Sequence, residues 1–341
     1  MLIGLTYNLR SEYLARGFTA EQVAEFDCEE TVDSLNDVLV RAGHEVVRIG
    51  NLENLMARLL NGQRWDLVFN IAEGLNGAGR EAQIPALLDA FGIPHTFSDT
   101  EILAVALDKS LTNAVMKGHG VPVSDFFVIR TMEDCERLEL EYPLFAKPVA
   151  EGTSRGITAL SLIHDHGELV RYCLSALPVF KQPVLVERYL PGREFTVGML
   201  GNGREADVLG VMEVVLLDQA DASGYTYDNK QQYENRVQYR IVDEPAVALV
   251  ARQAWAALNC LDAGRVDIRM DAVGKPHFLE VNPLAGLNPT YSDLCILARL
   301  QGLSYDTLIG RIMASAGKRC RNLPPVAVDA TSAPGHQGLI A

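Results

Sequence analysis

What this sequence lacks narrows the choice first. Its 341 residues contain no long basic run and carry a net charge of −14. Non-specific nucleic-acid binding needs clustered Lys and Arg, so no nucleic-acid partner is expected; a local basic pocket for phosphates is not excluded. No apolar run approaches the roughly 18 residues of a membrane helix, so no membrane partner is expected. The opening MLIGLTYNLRSEY has neither a basic leader nor a long apolar core, which predicts no secretory signal. Six cysteines (Cys28, Cys135, Cys173, Cys260, Cys295, Cys320) lie scattered with no CxxC, the pattern of free thiols in a cytoplasmic chain. There is no GxSxG, no GxxxxGK[ST] loop, no internal repeat and no low-complexity block. With 48% hydrophobic and 22% charged residues the composition is that of an ordinary soluble globular protein of two or three domains.

What is present centres on Gly264 to Asn282, GRVDIRMDAVGKPHFLEVN. Two apolar runs, Val266–Met270 and Phe278–Val281, flank Gly274-Lys275, the pattern of two strands and a turn. Glu280 and Asn282 are two apart and therefore share a face, and a hairpin brings Asp267 opposite them. Three oxygen-bearing side chains beside Arg265 suit a hard cation such as magnesium, which takes one or two carboxylates and fills its shell with water and phosphates. A merely charged, solvated hairpin is the competing reading.

Toward the N-terminus, strands at Leu2–Tyr7, Glu45–Ile49 and Leu67–Ile71 alternate with helices at Glu30–Ala42, Leu52–Leu60 and Glu81–Phe91. Residues 8–25 read as a polar segment. This alternation predicts a parallel sheet flanked by helices over roughly the first hundred residues. Ligands of such sheets sit at the carboxyl ends of strands. The loop after the third strand, Glu73 to Arg80, is therefore either a site wall or a mobile surface turn. Beyond it, the strands at Gln182–Tyr189, Phe195–Leu200 and Asp207–Leu217 follow one another without helices, marking an antiparallel sheet. Ser223–Asn235 is turn-rich and reads as a loop or lid. Helices are expected at Leu107–Lys117, Pro245–Leu258 and Leu303–Ala316, then a tail.

Two lysines stand out. Lys109 starts a helix, where a positive charge is disfavoured unless an anion shares the spot; on its own it reads as exposed. Lys147 lies inside the apolar strand Pro143–Val149, where a lysine either reaches the surface or meets an anion. Glu151-Gly152-Thr153-Ser154-Arg155-Gly156 follows at once, able to offer backbone N–H groups and hydroxyls to phosphate oxygens. The histidines carry no site: His164 and His166 read as a surface turn, His44 and His119 as capping or exposed, and His95 as structural. Trp65 and Trp255 read as packing residues.

Taken together these segments resemble the D-alanine–D-alanine ligases and, more widely, the ATP-grasp carboxylate–amine ligases, over roughly residues 66 to 316. The motifs are Leu107-Asp108-Lys109, Phe145-Ala146-Lys147-Pro148, the 151–156 loop, Val184 to Tyr189, Gly192-Arg193-Glu194-Phe195-Thr196-Val197, Gly264-Arg265-Val266-Asp267 and Leu279-Glu280-Val281-Asn282-Pro283. The resemblance implies an ATP-grasp fold: an N-terminal parallel α/β domain (residues 1–104), a central subdomain (105–188) and a C-terminal subdomain (189–318) clasping ATP, with a tail over 319–341. It implies that Lys109 and Lys147 hold phosphates, that the 151–156 loop with Glu151, Gly152, Thr153 and Ser154 closes over them, that Glu187, Arg188 and Leu190 hold adenine by the strand and turn backbone, that Glu194 holds the ribose, and that Leu279 also belongs to the nucleotide site. Lys230 resembles a third phosphate-side lysine. Asp267, Glu280 and Asn282 would bind two magnesium ions, with manganese as a substitute, and Arg265 would stabilise charge at the reacting carboxylate. A cytoplasmic homodimer acting on small amino acids or amines is the implied setting.

The chain departs from the family on the substrate side. The usual His-Gly and Gly-Glu-Asp-Gly become Glu73-Gly74 and Gly77-Ala78-Gly79-Arg80, and the N-terminal glycine-rich turn becomes Thr6-Tyr7-Asn8-Leu9-Arg10. Asp27, Glu29 and Glu30 are the candidates for holding the first amine. After the metal Asn the family's Pro-Gly and later Ser become Ala285-Gly286-Leu287 and Asn288-Pro289-Thr290-Tyr291-Ser292. ATP-dependent ligation through an acyl phosphate is therefore expected, with D-alanine only one candidate substrate. A small-molecule kinase using the same site and a non-catalytic nucleotide-binding module are the alternatives.

Overall fold

The structure, a computed structural model, describes residues 1–217 and 237–320. Strands β1 (Leu2–Thr6), β2 (Glu45–Gly50) and β3 (Leu67–Asn70) form a parallel sheet in the order β2-β1-β3. Helix α1 (Arg10–Ala15) and α2 (Glu29–Arg41) lie between β1 and β2, α3 (Leu52–Leu60) between β2 and β3, and α4 (Gln83–Ala90) after β3. Ile3, Leu5 and Phe69 pack against Leu35 and Leu39 of α2 on one face. On the other, Val68 packs against Leu55 of α3 and Leu88 of α4. All four residues of β3 are buried, as expected of a parallel strand covered on both sides. The expected alternation is present, with boundaries off by a residue or two. The segment 8–25 is not simply polar: it holds α1, and its Tyr13 and Val23 cluster with Phe26 just beyond it, the two rings 4.7 Å apart. Its apolar residues are too sparse to show a period.

Helices α5 (Thr100–Leu107) and α6 (Lys109–Gly118) lead into a second sheet. It is antiparallel, ordered β4-β7-β5-β6, from β4 (Phe126–Ile129), β5 (Leu144–Pro148), β6 (Leu162–Ile163) and β7 (Val184–Arg188). Helix α7 (His166–Phe180), capped by Asp165, covers it through Leu169, Tyr172, Cys173 and Ala176. The third sheet is antiparallel too, ordered β10-β9-β8-β11-β12. Its strands are β8 (Glu194–Leu200), β9 (Asp207–Leu216), β10 (Val237–Val242), β11 (Ala263–Met270) and β12 (Pro276–Asn282), and α8 (Pro245–Leu258) packs on it with Trp255 fully buried. Phe278 N–H donates to Pro122 O at 2.8 Å, tying β12 to the segment that enters β4.

The late hairpin forms as expected but extends beyond its apolar runs. Arg265 is in register with Asn282, and Asp267 with Glu280. Gly264 is required here: a Cβ would lie 2.4 Å from Asn282 O and 2.8 Å from the Trp255 ring. The last helices, α9 (Asp293–Leu300) and α10 (Tyr305–Arg319), do not stay with the third sheet alone. Leu294, Leu308, Ile309 and Ile312 share a core with Ile3, Leu5 and Leu39, so the C-terminal helices bridge the first and third sheets. Arg319, expected to begin the tail, ends α10 and donates to Asp262 Oδ2 at 2.8 Å and to Phe97 O at 2.9 Å.

Candidate active site

Two adjoining cavities lie between the sheets. The smaller, about 90 Å³, is lined by Lys147, Ser154, Glu187, Arg188, Leu190, Glu194, Asp267, Leu279 and Glu280, among others. Lys147 on β5 and Glu187 on β7 are both buried, and their charged groups meet at 2.7 Å. Asn113 of α6 donates to the other Glu187 oxygen at 2.9 Å. Burial by itself lowers the lysine's pKa. The charges of Glu187, Glu280 and Glu194 and the hydrogen bond from Glu187 together outweigh burial and raise the Lys147 pKa above its usual value. Arg188 donates its own N–H to Asp125 O at 2.9 Å, and its carbonyl accepts from Ser124 Oγ at 2.7 Å. Arg269 lies 3.4 Å from Glu194.

The carboxylates of the hairpin face this space. Asp267 Oδ1 accepts from Thr196 Oγ1 at 2.9 Å, and its Oδ2 meets the Arg265 guanidinium and, at 3.4 Å, the Asn282 amide. Arg265 is also 3.7 Å from Asp293. Burial by itself lowers its pKa, but Asp267, Asp293 and Glu280 together outweigh burial and hold its proton more tightly than usual. Among the described residues no three His, Cys, Asp or Glu side chains converge as a metal cluster. The donor set is two carboxylates and an amide.

The larger cavity, about 370 Å³, is lined by Lys109, Glu151, Gly152, Thr153, Arg265, Glu280 and Asn282 together with Arg10, Glu25, Asp27, Glu73, Glu81, Tyr291 and Asp293. Glu280 lines both cavities. Lys109 is not exposed, as its position at a helix start alone suggested, but buried. Asp108 caps α6, accepting from Ser110 and Leu111 N–H, so an anion does share the helix start. The lysine's amine reaches away to Glu151 O at 2.6 Å and Glu280 at 3.4 Å. Thr153 and Ser154 adopt left-handed backbone angles, φ +49° and +56°, a strain common where a loop wraps a ligand. The Glu151 carboxylate is held by Gln182 at 2.5 Å and Arg155 at 2.9 Å.

Sequence reasoning missed much of this wall. Of the three acids weighed for an amine, Asp27 lines the cavity, whereas Glu29 accepts from Ser11 at the surface and Glu30 accepts from Thr290 at 3.2 Å. Burial raises the Asp27 carboxyl to about 7, against the pull of Arg10. Burial likewise raises Glu81 to about 7, opposed by Arg80, and lifts Glu73 well above its usual range, with Glu81 and Glu25 adding to it. The loop after β3 is thus a site wall through its two ends. Its place at the carboxyl end of a parallel strand was the available signal. Nothing in the sequence pointed to Glu25. Lys230 and the expected lid at Ser223–Asn235 lie outside the described residues. His95 is buried 3.3 Å from Asp89, away from either cavity.

An antiparallel pair of sheets closing on a lysine-and-carboxylate cleft, behind a parallel α/β unit, is the arrangement implied by the resemblance to the ATP-grasp carboxylate–amine ligases, and comparison with known proteins bears that class out. Residues 115–314 match the family described as D-ala D-ala ligase C-terminus. A D-alanine–D-alanine ligase of Pseudomonas entomophila is 32% identical over 289 residues, covering 82% of this chain and 85% of its own. An uncharacterised protein of Sinorhizobium fredii is 31% identical over 300 residues, 84% of this chain and 87% of its own. Among solved structures, the D-alanine–D-alanine ligase of Bacillus anthracis complexed with ATP superposes with a TM-score of 0.70 at 18% identity, covering 94% of this chain and 99% of that one. The VanG D-Ala:D-Ser ligase of Enterococcus faecalis gives 0.69 at 20% identity, covering 92% and 99%. The chain belongs to the D-alanine–D-alanine ligase family.

Proposed function

We propose that the smaller cavity holds the nucleotide and the larger one holds an amino acid and the amine it is joined to. The observation that carries this is the sharing of one cavity by Lys147, Asp267 and Glu280, with the second cavity opening across Glu280. Leu190 and Leu279 would bracket the adenine, with the strand backbone at Glu187 and Arg188, and Glu194 would face the ribose. Lys147 and Lys109 would neutralise phosphate charge, with Gly152, Thr153 and Ser154 closing over it. Lys230 is proposed for the same role on resemblance alone. Asp267, Glu280 and Asn282 offer oxygen donors of the kind magnesium or manganese takes. When bound, the metal would supply positive charge beside the transferring phosphoryl group.

A carboxylate is a poor electrophile. Transfer of the γ-phosphoryl to it gives an acyl phosphate and ADP; the amine then attacks the acyl carbon and phosphate leaves. Such transfer depends on positioning and charge neutralisation more than on a protein nucleophile. Arg265 would face the negative charge that develops on the carbonyl oxygen. Asp27, with Glu73 and Glu81, would receive an ammonium group. A cytoplasmic setting and a homodimer are proposed on the likeness to the family alone. The test is release of ADP with ATP, magnesium and pools of amino acids and amines, products being read by mass spectrometry. ADP that appears only when acid and amine are both present, with an amide product, supports ligation. A stable phosphorylated product without amine dependence would make the chain a kinase.

A further inference from the structure

Three successive residues of the chain after β5 are each held by one charged side chain from elsewhere. Arg80 Nη1 donates to Ala150 O at 2.9 Å, Lys109 Nζ to Glu151 O at 2.6 Å, and Gly152 N–H donates to Glu25 Oε1 at 2.6 Å. Arg80 and Glu25 are themselves joined, Arg80 Nη2 lying 3.1 and 2.8 Å from the two carboxylate oxygens. Their side chains are only 10% and 14% exposed. Glu25 precedes α2 and Arg80 follows β3, so both belong to the N-terminal unit, while the bonded backbone belongs to the glycine-rich loop of the next unit. A Cβ at Gly152 would stand 2.3 Å from Glu25 Oε1, so glycine is what admits the carboxylate.

We propose that Glu25 and Arg80 are positioning residues that fasten the 151–156 loop to the amino-acid side of the cleft. The pair holds Gly152 and Ala150 so that Thr153 and Ser154 stand over the junction of the two cavities. This rests on the ligase reading for its consequence: a loosely held loop admits water. Water then attacks the acyl carbon in place of the amine, the bond from that carbon to the phosphate oxygen breaks, phosphate leaves and the acid is regenerated. The net result is hydrolysis of ATP to ADP and phosphate without amide. Lids that exclude water from reactive intermediates act in this way.

The test uses the full chain and two variants, Glu25→Ala and Gly152→Ala, with Glu25→Gln as the conservative partner. Hydrogen exchange of residues 150–156 is followed with magnesium and the non-hydrolysable β,γ-imido analogue of ATP. Both disruptive variants should exchange at least about tenfold faster in this segment and nowhere else, with Glu25→Gln between them and the wild type, because it keeps an oxygen for the Gly152 N–H. With the acid and amine found by the screen above, ADP released per amide should rise in the same order, and amide turnover should fall by up to about 100-fold, the scale of a misplaced reactive group. A uniform rise in exchange, or an unchanged ratio of ADP to amide, overturns the proposal and leaves a purely structural ion pair. Absence of any amide from the wild-type chain would overturn the ligase reading instead, while the exchange measurement still decides whether the loop is held.

Discussion

The two cavities are built on different principles. The smaller is lined by side chains already matched in charge: Lys147 with Glu187, Glu194 with Arg269, Asp267 with Arg265. The larger gathers Asp27, Glu73 and Glu81, whose carboxyls burial pushes upward. A site for an invariant cosubstrate can be fixed once by rigid strands. A site for variable substrates is assembled from loop ends whose charge awaits what enters. The segments where the sequence departs from the pattern expected of the family reach the second through Arg10, Glu73, Ala285, Gly286, Tyr291 and Ser292.

If that contrast is right, substitutions on the nucleotide side should cost stability and all turnover, and those on the substrate side should change selectivity. The largest effect is expected from Glu187→Ala, which leaves Lys147 buried without its partner. Breaking such a pair costs about 3–5 kcal/mol, read as a fall in the denaturation midpoint. Next, Asp267→Asn should lower kcat about 100- to 1000-fold, the scale of one lost electrostatic contact, and also lower the denaturation midpoint, because it takes the carboxylate partner from Arg265; unchanged turnover would sink every catalytic reading. Asp27→Asn should raise KM for the amine about tenfold, one lost ion pair, and leave KM for ATP alone. An equal rise in both would erase the distinction between the cavities.

The smallest effect is a pH dependence. The Asp27 carboxyl keeps its proton to about pH 7 in the folded chain, whereas a free aspartate loses it near 3.8. Ionised Asp27 is the form that attracts an ammonium, so amine KM should fall as pH rises through 7, and the dependence should weaken in Asp27→Asn, leaving the part due to Glu81, which burial also raises to about 7. The folded chain also binds more protons than the unfolded one in this interval. The group's contribution to stability is therefore greatest at acid pH and declines between about pH 4 and 7. A melting temperature that rises over that window relative to Asp27→Asn would contradict the burial of this carboxyl.

The same contrast explains what could be read without coordinates. Lys147 within an apolar strand, and Glu280 two residues from Asn282, announce themselves because strand periodicity fixes their face. The parallel α/β unit was legible from alternation of apolar runs. Glu25 was not, because its partner Gly152 is 127 residues away and its own segment has no period. Helix α7 carries a buried stripe of Leu169, Tyr172, Cys173 and Ala176, but Pro178 near its end and the short preceding strand obscured it. That Asp27, rather than Glu29 or Glu30, reaches the cavity depends on how the chain turns into α2, where a one-residue shift changes which side chain points inward.

Glu280 borders both chambers, and this ties together regions that otherwise look free to diverge. Loops around the roomier chamber can be exchanged to suit a new acid or amine. The shared carboxylate cannot follow them without disturbing the cavity proposed for the nucleotide. Chimeras that graft the first hundred residues of one relative onto the remainder of another should therefore inherit preference from the graft and keep their energy source, provided the hairpin that presents Glu280 travels intact with the recipient.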